Sequence, residues 1–134
     1  MSAETKLVAR LKATAGVTAL IGTGDAARVR PQRLRQGEGL PAITYLVASD
    51  SLENHSTGAT TTREKRIQVN CLAASYDGAI ALAAAVEAAL SGWNDADGDI
   101  WHLDVQIDDV EETIAGQDEP ECYRRIQDYI VWTT

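Results

Sequence analysis

The stretch RIQVNCLAASYDGAIALAAAVEAAL, residues 66–90, changes its hydrophobic period halfway along, and that change decides the fold class. Up to Cys71 the apolar side chains recur at every second position, with Ile67, Val69 and Cys71 facing one way and Arg66, Gln68 and Asn70 the other. That is the period of a half-buried strand. From Ser75 the repeat lengthens to that of a helix, whose stripe is Ala79, Leu82, Val86, Ala89 and Trp93. Ser75 can cap its start, Asp77 suits the positive N-terminal end, and Gly92 falls where a left-handed C-terminal cap belongs. The many alanines favour helix and let its axis approach a sheet closely, so a large residue at Ala83 or Ala84 is expected to overpack the interface.

Working outward, Pro41 opens AITYLVAS, where Ile43, Tyr45 and Val47 share one face and Thr44, Leu46 and Ala48 the other. Between this strand and the next lies a polar excursion of Ser49, Asp50, Ser51, Leu52, Glu53, Asn54, His55, Ser56, Thr57, Gly58, Ala59, Thr60, Thr61 and Thr62. Its Ser, Thr and Gly content predicts a long exposed loop or an extended hairpin tip joining two antiparallel strands. At the other end of the chain, residues 4–15 place Leu7, Val8, Leu11 and Ala15 on a helical stripe, with Lys6, Arg10 and Lys12 mostly outside it and Gly16 ending it. A short helical turn through Val17, Leu20 and Ile21 follows.

Beyond the central helix, IWHLDVQID alternates, which predicts Trp101, Leu103, Val105 and Ile107 inward and His102, Asp104, Gln106 and Asp108 outward. Residues 111–121 read as an acidic, solvated loop, or more sharply as a face that repels DNA or docks a basic partner. CYRRIQDYIVWTT closes the chain as a strand with Ile126, Ile130 and Trp132 on one face. The expectation is a single α+β domain over residues 1–134. It has a mainly antiparallel four- to five-stranded sheet, with two helices packed on one face.

A chain of 134 residues is long enough to bury a core without metal or disulfide. No apolar run approaches bilayer length and the N-terminal residues carry charges where a signal peptide is apolar, so no membrane partner is expected and the chain reads as soluble and intracellular. Cys71 and Cys122 lie in no metal-ligand spacing and read as packed thiols. The formal net charge of −8 opposes any general grip on nucleic-acid phosphates.

Two stretches look like sites. GTGDAA resembles part of a dinucleotide fingerprint, but a helix rather than a strand precedes it and RVRPQ follows, so it reads as a connector. NDADGD, residues 94–99, sets Asp95, Asp97 and Asp99 around a glycine. A calcium loop starting at Asp95 needs glycine sixth and glutamate twelfth, whereas here glycine is fourth and Gln106 twelfth. A polar turn is the favoured reading, and a small acidic calcium- or ligand-binding domain the alternative from another class. His55 and His102 keep no catalytic company, so no enzyme, no metal and no cofactor is expected.

The order of an amphipathic N-terminal helix, LPAITY, a polar excursion, RIQVNCLAASYDGAIALAAAVEAAL, a turn and strand, and YRRIQDYIVW resembles the tail-completion proteins of long-tailed phages and phage-like particles. These are also called tail terminators or head-to-tail joining proteins. The resemblance covers nearly the whole chain and rests on packing patterns. It implies a structural protein that forms a homo-oligomeric, hexameric ring on the last ring of the tail tube protein. Such a ring stops tube growth and docks the head-side connector or stopper protein, while DNA passes through the lumen without specific binding. It further implies assembly in the host cytoplasm and a final place at the head–tail junction of the virion. The excursion from Ser49 to Thr62 is the candidate subunit or tube interface, since a loop that long in a small domain is commonly functional. Another head–tail connector or minor tail component is the alternative within the structural class.

Overall fold

The computed structural model describes residues 3–32, 39–55, 58–95, 98–111 and 122–133. Among them, α1 (Ala3–Ala13) and α2 (Ala15–Ile21) lead through a 3-10 turn at Gly24–Ala26 into β1 (Val29–Pro31). There follow β2 (Ala42–His55), β3 (Gly58–Ala73), α3 (Tyr76–Leu90), β4 (Ile100–Glu111) and β5 (Cys122–Thr133). The strands form one five-stranded sheet in the order β1-β2-β3-β5-β4. All neighbours are antiparallel except β1 and β2. The expected α+β class and mainly antiparallel sheet are therefore what the chain adopts, with α2 as an additional helix.

The helices occupy one face. Leu7 and Leu11 of α1, Val17 and Ile21 of α2, and Leu82, Val86 and Leu90 of α3 share a buried cluster with Ile43, Ile67, Val69, Cys71, Trp101, Tyr129 and Val131 from four strands. The Ile67, Val69, Cys71 face was legible from its period. Ser75 caps α3 as expected, its Oγ accepting from the Gly78 amide at 3.0 Å. Gly92 follows the helix at φ +79°, a left-handed turn whose amide donates to the Trp101 carbonyl at 2.8 Å and so ties the helix end to β4.

Four expectations need correction. Gly16 does not end the first helix; it lies inside α2. The break is Thr14, extended at φ −97° and ψ 113°, whose hydroxyl donates to the Arg10 carbonyl at 2.7 Å while its own carbonyl accepts from Val17 and Thr18. Ala83 is buried but Ala84 is exposed, so only the former faces the sheet. RVRPQ contributes a strand, β1, too short to show a period. Finally, Val105 and Ile107 point outward, at 44 % and 54 % exposure. Leu103 pairs with Tyr129 and Val105 with Asp128, so Asp104 is an extra residue in the ladder. This bulge reverses the faces of everything after it.

On β5, Ile126, Ile130 and Trp132 do share a face, but it is the one turned away from the helices. The helix-side face carries Gln127, Tyr129 and Val131, all fully buried.

Candidate assembly surfaces

Ser49 to Thr62 is a two-stranded arm. The β2–β3 ladder continues through Asp50↔Lys65, Ser51↔Glu64 and Leu52↔Arg63 to Asn54↔Ala59 and His55↔Gly58, with irregularities at Val47/Ser49 and Leu52/Asn54. Ser56 and Thr57 lie outside the described residues. β5 accompanies β3 only as far as Arg63↔Thr133, and β1 accompanies β2 only along Ile43, Thr44 and Tyr45. Among the described residues, Gly58, Ala59, Thr60, Thr61 and Thr62 therefore have β2 as their one neighbour. Thr-rich sequence suits strand backbone without supplying apolar surface, which is why composition alone left loop and hairpin undivided.

The NDADGD turn is engaged from inside. Lys6 is only 7 % exposed, and its ammonium lies 2.7 Å from Asp99 Oδ2 and 3.2 Å from Asp95 Oδ2. Asp95 also accepts from the Trp101 indole N–H at 3.2 Å and from the Asp99 amide at 3.1 Å. Gly98 turns the chain at φ +87°. The two described carboxylates thus hold a lysine from α1, and they pin that helix to the start of β4. Asp97 lies outside the described residues. Helical periodicity put Lys6 off the apolar stripe and gave no sign of a partner 93 positions away. Next to this pair, Arg10 stacks 4.9 Å over the Trp93 ring and donates to the Ala89 carbonyl at 2.9 Å, and Trp93 packs on Trp101 at 5.3 Å.

A second buried polar chain crosses from sheet to helix. Tyr129 donates its hydroxyl proton to Gln127 Oε1 at 2.8 Å, and Gln127 Nε2 donates to the Ala83 carbonyl of α3 at 3.0 Å and to Gln106 Oε1 at 2.6 Å. The bulge at Asp104 is what brings Gln106 inward to close it.

His102 is exposed on the open sheet face, and the His55 backbone sits at the arm's end. Burial pushes the Cys71 thiol up to about 12, with Arg125 opposing weakly, so it is no nucleophile at neutral pH. Among the described residues no group of three potential ligands could hold a metal. None of the helices is long and apolar enough to cross a membrane. The residues of the acidic run beyond Glu111 lie outside the described set.

A helix-backed, mainly antiparallel sheet with a long polar arm defines an α+β scaffold. The chain belongs to the tail completion protein family: the family model described as Tail completion protein gp17 matches residues 5–134. It is accordingly a structural component of a phage-type tail. No curated protein matches it. A chain in the solved virion of a native gene transfer agent particle has the same fold, with a TM-score of 0.58 and 21% identity over 94% of this chain and 90% of that one.

Proposed function

We propose that residues 1–134 act as one unit that closes into a hexameric ring, caps the tail tube, stops its growth and offers the docking surface for the head connector. The observation that carries this reading is the arm. A ladder extended past both flanking strands exposes backbone donors and acceptors that a lone subunit leaves to water. In a closed ring each subunit meets its neighbours through two different patches, and the arm from Ser49 to Thr62 supplies one. The net charge of −8 suits a channel through which DNA slides without sticking. Assembly in the host cytoplasm and a final place at the head–tail junction belong to the same proposal.

The test is deletion of the gene in the producing strain, followed by electron microscopy and complementation. Loss of the chain is expected to give filled heads without tails, beside detached or overlong tubes. Complementation with an arm-shortened form, residues 53–62 replaced by Asn-Gly so that a two-residue turn joins the ladder partners Leu52 and Arg63, is expected to leave that defect in place. Normal tailed particles from the deletion strain would remove the role, and normal particles from the shortened form would remove the arm from it.

A further inference from the structure

Among the described residues the sheet has two open edges. On one side β1 covers β2 only to Tyr45, and residues 46–55 run on with no further strand beside them among the described residues. A cavity of about 470 Å³, lined by Glu4, Pro31, Gln32, Tyr45, Leu46 and Val47, opens where β1 stops. On the other side β4 is the outer strand, covered near its start by the Asn94↔Ile100 bridge and the Trp93–Trp101 bond, so residues 102–111 have no further strand beside them on that edge among the described residues. Each open stretch is ten residues long. Long uncovered edges of this kind pair readily with other strands.

Charge complementarity is confined to the β1 end. Residues 28–31, leading along the β1 edge, contain Arg28 and Arg30 and no acid, whereas residues 46–55 contain Asp50 and Glu53; β4 contains Asp104, Asp108, Asp109 and Glu111 and no Lys or Arg. β4 further shows Ile100, Val105 and Ile107 half-exposed on the open face. A lone soluble subunit gains nothing from such a rim.

We propose that β4 of one copy adds to the β2 edge of a second copy, antiparallel, so that the sheets join head to tail. Antiparallel addition sets the acidic end of β4 against the arginines at β1, while parallel addition sets it at the far end of the arm. Main-chain bonds hold the two strands together, and Val105 and Ile107 gain cover beside Leu46 and Ser49 of the other copy, which stand on the same face. This rests on the ring reading and names the second patch that the arm engages.

Cysteine pairs test it in assembled particles. Within one chain Ser49 and Ile107 are three strand spacings apart across the sheet and four residues apart along it, roughly 20 Å in all, too far for a disulfide. In a Cys122→Ser background, S49C with I107C is expected to convert most of the monomer band into a ladder of linked oligomers on a non-reducing gel, collapsing on reduction. S49C with I100C is expected to give no ladder, because antiparallel addition leaves those positions six ladder steps, roughly 20 Å, apart. A ladder from the Ile100 pair would overturn the stated register. Joined tails carrying the chain, with no ladder from either pair, would overturn the edge pairing and leave the ring reading standing. Absence of the chain from the tube end would overturn both.

Discussion

Lys6 is the residue on which most of the N-terminal packing turns. Its ammonium answers two carboxylates inside the protein, and Lys6→Met takes that ammonium away from Asp95 and Asp99. Removing one partner of a buried ion pair costs about 3–5 kcal/mol, and the urea midpoint of Lys6→Met is expected to fall accordingly with an unchanged m-value. Gln127→Leu removes the acceptor of Tyr129 and the donor to Ala83 together, for an expected loss of about 1–3 kcal/mol in the same assay. Cys71 gives a pH dependence whose sign is fixed by burial. Its folded pKa of about 12 lies above the ordinary thiol value of about 8.5, so the unfolded chain loses that proton first. Stability is then level below about pH 8 and declines above it, by up to about 1.4 kcal/mol per pH unit from this group. Cys71→Val is expected to flatten the decline between about pH 8.5 and 10 relative to the parent, read by denaturation at each pH. Neither of the two polar partnerships was legible in the sequence. The alternation marked Cys71 as inward, but the partners of Lys6 and Gln127 are joined to them only by the fold.

The elements were legible in proportion to the length of their period. α3, β3 and the start of β2 each carry several turns or alternations, and each lies where its pattern put it. β1 has three residues, too few for a pattern, and Thr14 breaks a helix that Gly16 seemed better suited to end. The reversal within β4 is instructive because its alternation is unbroken in the sequence; a bulge changes what alternation means without changing the letters. The consequence is testable. Deleting Asp104 removes the extra residue and leaves Val105, Gln106 and Ile107 on their present faces, so the shortened strand is expected to fold within about 1 kcal/mol of the parent, the lost Arg66 ion pair being exposed and worth little. A drop of several kcal/mol in denaturant would show that the bulge supports more than the ladder. On α3, Ala83→Leu presses on the sheet and is expected to cost about 1–3 kcal/mol, whereas Ala84→Leu on the exposed side is expected to be neutral within about 0.5 kcal/mol.

At the scale of the whole molecule the division of labour is between faces and edges. One face is closed by helices and locked by Lys6 and Gln127. The edges carry the arm and the bulged strand. The family was readable because its signature is an order of elements, and order survives in a sequence even when individual contacts do not. The proposed interface was not readable to the same depth: a polar stretch announces exposure, while only the topology places β4, its proposed partner strand, outermost. The arm's pairing through backbone has a consequence for how such a chain drifts. Peptide groups are identical at every position, so an interface written in them is indifferent to spelling and sensitive to length. On the proposed reading, substitutions toward the tip of the arm are tolerated better than gain or loss of a residue, which moves the ladder partners beyond it unless a bulge absorbs the change. Selection on such an arm counts its residues and does not read them.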